Sequence, residues 1–516
     1  MMEFLEKKSV QSCLACLKAE QVGFPLHMDH FINGSWRASR KAQRIEVRDS
    51  SNWDQLVGTV GSADEGLLVA AADSAAAAFG TWRRLPARDR SEKMQAVADT
   101  LENSAKTLGH VVAHELGRPY PHAVGEVMAA VRQLRYFAEE AIRWRGCIAQ
   151  SDEVDKEVLL IDRPVGVVLM VSPWNNPLFL LSRTLAPALA AGCTVIGKPS
   201  SESPLSTLLM AKIAHEAGLG EGVFNVVTGP GRSICGKLLA HPAVQKGTLT
   251  GGREAGRAFM VAAAKHLKVV SLELGGQCPA IVCEDALLET AADSISFQAF
   301  RQGGQVCNRV NRVYIHEGIY REFVKMLCAA ISKICVGLIG DYGADYGALV
   351  NQEQIDKAKT HVEDAVQKGA TIETGGTQLT EGAFVRGYYF APTLLSNCSQ
   401  DMLVMTEETF GPVLGVTSYS DFDKAVELAN DNDYGLASYL FTKNATRCHR
   451  AIRSLEAGNI WINDIHVSYA QCPYGGVKAS GTGRTQAIEA FREFVATTTV
   501  YWDFADYPRK SRKTRH

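Results

Sequence analysis

The sequence has almost no excess of charge of either sign: 54 Lys and Arg stand against 56 Asp and Glu, a formal net charge of -2 over 516 residues. That balance gives no electrostatic footprint for nucleic acid or an anionic membrane. Only the tail PRKSRKTRH is locally basic, and it reads as a solvated terminus. No apolar run approaches the roughly 18 residues that a membrane span requires. The start, MMEFLEKKSVQSCLACLKAE, has acidic residues among its first six and no apolar stretch, which argues against a secretory signal or transit peptide. The 13 cysteines are an odd number scattered singly, as in MLCAAI and AIVCEDA, with no framework spacing. Reduced thiols and a cytoplasmic location are expected. Cys13 and Cys16 form a CxxC with no second pair or histidine nearby, so no metal site is expected. There is no fixed-period repeat, and no GxGxxG: TGPGRSICG and TGGREAG have the wrong glycine spacing.

The chain is long enough for about two to four domains. Its opening, to about Trp144, reads as helix-rich, with apolar residues at three- and four-residue spacing over Glu65–Phe79 and Arg88–Leu108. A strand–helix rhythm follows. Strands are expected at Val167–Val171, Cys193–Gly197, Phe224–Val227, Thr248–Leu249 and Val269–Leu272, and helices at Ser182–Ala191, Leu205–Ala217 and Glu254–His266. Such alternation predicts a parallel sheet covered on both faces, with ligands at the carboxyl ends of its strands. A second α/β region begins with a strand at Arg312–His316 and an amphipathic helix at Ile319–Ile334. Val495–Asp506 reads as extended and is expected to pair with a partner or with the extended stretch before Pro164.

Seven short motifs occur in order: PWNNP (Pro173–Pro177), GKPSS (Gly197–Ser201), TGGREAG, LELGG (Leu272–Gly276), GGQVC (Gly303–Cys307), EETFGP (Glu407–Pro412) and PYGGVKASGTGR (Pro473–Arg484). Taken singly each is weak. Asn175 alone would be a turn asparagine, Glu273 a buried carboxylate, Lys198 a solvated strand end and Cys307 a small buried hydrophobe. Together they resemble the signature of the NAD(P)-dependent aldehyde dehydrogenase superfamily, from about Phe31 to Val500.

That resemblance implies an α/β fold with a Rossmann-type cofactor domain (1–142 and 165–274), an α/β catalytic domain (275–490) and a small β oligomerisation arm (143–164 and 491–516). It makes Cys307 the nucleophile, Asn175 the oxyanion donor and Glu273 the general base of a non-acylating enzyme, since relatives that pass the acyl group to coenzyme A usually lack that base. The nucleophile is needed because a flat carbonyl must become a tetrahedral hydride donor. For the cofactor it implies Lys198 and Glu408 at the ribose, Trp174 and Phe410 nearby, and Gly251 and Gly252 where a helix N-terminus can receive a pyrophosphate. Ser201 stands where NAD-preferring relatives often carry Glu, so NADP is slightly favoured over NAD, although Glu202 next door opposes this. No metal is implied.

Arg183 and Arg301 fall where succinate-semialdehyde dehydrogenases place their carboxylate-binding arginines, and Ser468 where that branch places a hydroxyl. A small acidic semialdehyde is the expected substrate. Structural ion pairs are the other reading of these arginines. Arg309 replaces a second cysteine found in that branch, and as a third cation it opens the alternative of a phosphonate or phosphate aldehyde. A non-catalytic structural protein on the same fold is the alternative of another class. A cytoplasmic homodimer or homotetramer is expected, with no nucleic-acid or membrane partner.

Overall fold

The structure is a computed structural model and describes residues 22–40, 43–465 and 469–505. Cys13, Cys16, Ser468 and the basic tail lie outside the described residues.

An eight-stranded sheet carries the first half of the motifs. Its parallel centre runs, edge to edge, Val269–Glu273, Val244–Thr250, Val167–Val171, Thr194–Lys198 and Phe224–Val226. The stretch VVLM (Val167–Met170) is buried throughout, as expected of a strand with helices on both faces. Helices Pro177–Ala191, Pro204–Glu216, Gly231–Ala240 and Arg253–Ala264 connect these strands. Pro177 starts the first of them, where a missing N–H costs nothing, and Gly192 in the left-handed region (φ 99°) ends it. Chain order runs outward from Val167–Val171 in one direction, then returns to its other side at Val244–Thr250. That reversal opens a crevice at the carboxyl ends of the two strands, between PWNNP and TGGREAG.

The opening is not purely helical. Five short strands between Leu26 and Gly61 precede the first described helix, Glu65–Trp82. Two of them, His30–Ile32 and Ser35–Arg37, form a hairpin closed by Asn33–Gly34, both at positive φ (52° and 73°). An Asn-Gly pair is the strongest short hairpin signal, and helical periodicity further on masked it. The helix expected over Arg88–Leu108 is two helices, Ala87–Asn103 and Ala105–Leu116, interrupted at Ser104.

A seven-stranded sheet holds the second half, in the order 371–374, 393–396, 413–419, 310–316, 278–282, 437–441, 459–462, and is parallel except at its first pair. Val495–Asp503 pairs antiparallel with Lys156–Pro164 along its whole length, and Cys147–Ala149 adds a third strand. Among the described residues no helix is long and apolar enough to cross a membrane, no cluster of potential metal ligands occurs, and every cysteine is unpaired.

Candidate active site

Cys307 reaches the site through an unusual turn. After helix Leu288–Phe300 the chain passes through Gln302, Gly303 and Gly304, all left-handed (φ 55°, 64° and 73°). A Cβ on Gly304 would collide with the Gly411 carbonyl, so glycine is needed for conformation and for space. The turn leaves Cys307 half-buried on a cavity that Leu180, Arg183, Glu273, Leu274, Tyr474 and Thr485 also line. Burial pushes its thiol up, opposed by a hydrogen bond with Tyr474 and by the charge of Arg183. The sulfur therefore rests as a thiol at neutral pH and needs help to become a nucleophile.

Glu273 ends its strand with a parallel neighbour on one side, where it registers with Thr250, and an antiparallel strand, Gly481–Thr482, on the other. Its carboxyl is buried, and Oε1 has no hydrogen-bond partner among the described residues. Burial raises it to about 8, while Arg183 and Arg484 pull the other way. A carboxyl poised there, on the same cavity as the thiol, is suited to proton transfer near neutrality.

Asn175 is fixed from both ends. Its Nδ2 donates to the Gln305 carbonyl at 3.0 Å, and its own carbonyl accepts from Arg118. Arg118 is in turn paired with Glu126 at 2.5 Å, and Glu126 Oε1 accepts the Leu178 and Phe179 N–H groups at 3.0 and 3.4 Å. Glu126 thus caps the helix that follows PWNNP from a different helix, satisfying otherwise orphaned donors. The side-chain amide keeps a second N–H for an oxyanion.

The residues expected at the cofactor sit around the crevice. The Lys198 ammonium is buried and makes no hydrogen bond or ion pair among the described residues, so desolvation lowers its pKa. Gly252 opens helix Arg253–Ala264 with nothing within 4 Å of where a side chain would begin. Gly251 donates its N–H to the Glu273 carbonyl at 3.0 Å. Glu408 accepts from the Gly276 N–H at 3.1 Å and is raised to about 7 by burial. Trp174 and Phe410 meet edge-to-face at 5.4 Å, with Phe410 at φ 54°. A bulky residue there stores strain on the order of 1–3 kcal/mol. Ser201 is half-buried, and its neighbour Glu202 is held by Asn351 Nδ2 at 3.2 Å. A buried cation without a partner, an open helix N-terminus and a buried carboxylate supply the donors and the acceptor that a dinucleotide's anionic and hydroxyl groups need, so NAD(P) fits.

The arginines separate. Arg183 is buried on the cavity wall, 4.2 Å above the Tyr474 ring, with one nitrogen on Gln486 Oε1 at 3.2 Å. Its Nε has no hydrogen-bond partner among the described residues. Arg301 does not line that cavity; it donates to Asn308 Oδ1 at 3.2 Å, and Cys307 and Tyr474 are among its electrostatic neighbours. Arg309 is different from the third cation its position suggested. It is fully buried and holds the carbonyls of Ala299 (3.1 Å) and Val413 (2.6 Å), fixing the turn rather than facing the cavity. Ser468 lies outside the described residues.

Three participants went unnoticed in the sequence. Glu126 is a lone carboxylate among Ala123, Val127 and Ala130 on a buried helical face, which is the readable hint, whereas Arg118 sits in the loop between two helices. Tyr474 was quoted within its motif without being given a role.

Residues 36–500 match the aldehyde dehydrogenase family. A glutarate-semialdehyde dehydrogenase of Pseudomonas aeruginosa is 37% identical over 457 residues, 88% of this chain and 93% of that protein. A succinate-semialdehyde dehydrogenase [NADP(+)] of Escherichia coli is also 37% identical, over 88% of this chain and 93% of that protein. Among solved structures, lactaldehyde dehydrogenase from Escherichia coli superimposes with a TM-score of 0.90 at 34% identity, covering 93% of this chain and 100% of that one.

Proposed function

The chain belongs to the aldehyde dehydrogenase family, and from that premise we propose that it oxidises a small acidic semialdehyde, succinate-semialdehyde-like, to the carboxylic acid, with NADP slightly favoured over NAD. The observation that carries the substrate reading is Arg183: a buried guanidinium with an unpartnered Nε on the cavity shared by Cys307 and Glu273. A charged donor in that setting needs an acceptor, and a carboxylate matches its fork. Arg301 and Ser468 remain part of this reading as further anchors.

The Cys307 thiol gives up its proton to solvent, Sγ attacks the aldehyde carbon, and the new oxyanion is received by the Asn175 amide and the Cys307 N–H. Bound NAD(P) supplies the hydride acceptor, with Lys198 and Glu408 at the ribose and Gly251 and Gly252 at the pyrophosphate. The resulting thioester on Cys307 is then hydrolysed. Glu273 removes a proton from water, the hydroxide adds to the carbonyl carbon, and the C–S bond breaks to release the acid and restore the thiol. Ser201 supports NADP, while the Glu202 carboxylate beside it, held by Asn351 Nδ2, opposes a 2′-phosphate and keeps the preference slight.

The domain division is proposed as 1–142 with 165–274 for the cofactor, 275–490 for catalysis, and 143–164 with 491–516 as an arm. A homodimer or homotetramer is proposed on the strength of that arm, where Ile148, Tyr501 and Trp502 are exposed. A monomer by light scattering at micromolar concentration refutes that assembly. A cytoplasmic setting is supported by the unpaired cysteines.

The test is reduced-cofactor absorbance with NADP or NAD and a panel of aldehydes differing only in the distal group. Carboxylate-bearing aldehydes are expected to lead in kcat/KM; equal rates on uncharged ones of the same length refute the acidic substrate. The phosphonate or phosphate reading keeps its ground that arginines bind either group, but Arg309, which holds two backbone carbonyls, adds no third cation on the cavity.

A further inference from the structure

Tyr474 packs its ring under one catalytic-site residue and its hydroxyl against another. Its Oη lies 3.6 Å from Cys307 Sγ, and the Arg183 guanidinium sits 4.2 Å from the ring centroid. The placement is held by backbone. Tyr474 and Thr485 exchange both N–H···O bonds at 2.8 Å in an isolated antiparallel bridge, and Thr485 Oγ1 adds a third bond to the Tyr474 carbonyl at 3.2 Å. The side chain is buried, leaving the hydroxyl little choice of position.

We propose that the Tyr474 hydroxyl donates a hydrogen bond to the Cys307 sulfur and stabilises the attacking thiolate, and that Arg183 stacked on the ring strengthens this donor. The proposal rests on the reading of Cys307 as the nucleophile. Two physical facts support it. Burial holds the phenol well above its ordinary range, so it remains a donor at every pH where the enzyme works. A cation over the ring face stabilises negative charge developing on the phenol oxygen, so the O–H becomes a better donor. Glu273, Glu408 and Cys278 around the thiolate oppose negative charge, Tyr439 gives no help, and Arg183 favours it. Arg183 and Arg301 are the nearby cations. A phenylalanine at 474 would keep the packing and lose the donor.

The experiment follows iodoacetamide alkylation of Cys307 against pH by peptide mass spectrometry, in full-length protein without cofactor. Wild type, Tyr474→Phe and protein carrying 3-fluorotyrosine at 474 are compared, with Cys307→Ala as blank. Losing a hydrogen bond to a charged group is expected to raise the midpoint by about one unit, slowing alkylation roughly tenfold below it. The fluorinated ring, a more acidic donor of nearly the same shape, is expected to move the midpoint down. Opposite shifts are a signature that simple packing does not produce. Superimposable profiles in the three proteins overturn the proposal, and if Tyr474→Phe fails to fold, an unmoved profile in the fluorinated protein does so alone. Wild type that oxidises aldehydes while the profiles coincide leaves the aldehyde dehydrogenase reading intact and removes only Tyr474. Wild type whose Cys307 is neither alkylated nor needed for turnover removes both.

Discussion

Replacing Arg183 by Leu tests the substrate reading, provided two separate consequences are kept apart. One nitrogen of the guanidinium is committed to Gln486, its face lies on Tyr474, and Nε is without a partner. The free edge therefore offers a carboxylate about one strong charge-assisted bond, worth roughly 1.5–3 kcal/mol. At about 1.4 kcal/mol per factor of ten, kcat/KM for an acidic semialdehyde should fall roughly ten- to a hundred-fold beyond any common loss. A common loss is itself expected, because Arg183 favours the anionic forms of both Cys307 and Glu273. The quantity that isolates the clamp is thus the ratio of kcat/KM for an acidic aldehyde to that for an uncharged one of equal length. Steady-state reduced-cofactor absorbance on both substrates, in wild type and variant, measures it. An unchanged ratio refutes the clamp even if both rates drop, and the substrate assignment falls with it, leaving the family activity.

Glu273→Gln should still form the thioester, so a burst of reduced cofactor precedes a slow steady state, whereas Cys307→Ala shows neither burst nor turnover; stopped-flow absorbance distinguishes them. Glu273 also makes stability depend on pH. Its carboxyl titrates near 4.5 when unfolded and near 8 when folded, so between those values only the folded chain keeps the proton. Stability must fall as pH rises across that window, and Glu273→Gln should flatten part of the slope in urea midpoints measured at pH 5.5 and 8. Glu115, raised to about 8 by burial, keeps a residual slope of the same sign. Ser201→Glu should harm NADP use more than NAD use by placing a carboxylate near the 2′-phosphate, and a wild type that already prefers NAD strongly contradicts that assignment.

The parts of this molecule that were legible in its sequence are those written locally. VVLM and its neighbours announce buried parallel strands, and Pro177 and Gly192 bracket their helix with residues chosen for backbone reasons. Cys307, Glu273 and Asn175 stand in short motifs at element ends: PWNNP follows one strand, LELGG closes another, and GGQVC lies between a helix and the strand Val310–His316. Arg309 shows the opposite case. Sequence places a cation two residues from Cys307, but whether it faces the cavity or backbone depends on Ala299 and Val413, ten and a hundred and four positions away. The same holds for Glu126, whose partners on Leu178 and Phe179 lie more than fifty residues along. Hydrogen bonds across such separations leave no periodicity to read. The hairpin at Asn33–Gly34 is legible in its Asn-Gly pair, although the helical pattern after Glu65 is the stronger signal in that part of the chain.

The two-residue strand Gly481–Thr482, which lies against Leu272 and Glu273, bears on the order in which the site is assembled during synthesis. The strand carrying Glu273 is made first and Cys307 some thirty residues later, yet the edge paired with Glu273 arrives only after roughly 170 further positions. A chain still attached at the ribosome with that last stretch inside the exit tunnel already displays Cys307 but leaves Glu273 on an open sheet edge, in contact with water. Long-range pairings of this kind form late because the intervening loop must first be closed. Glu273 therefore gains its second strand neighbour as one of the last acts of folding.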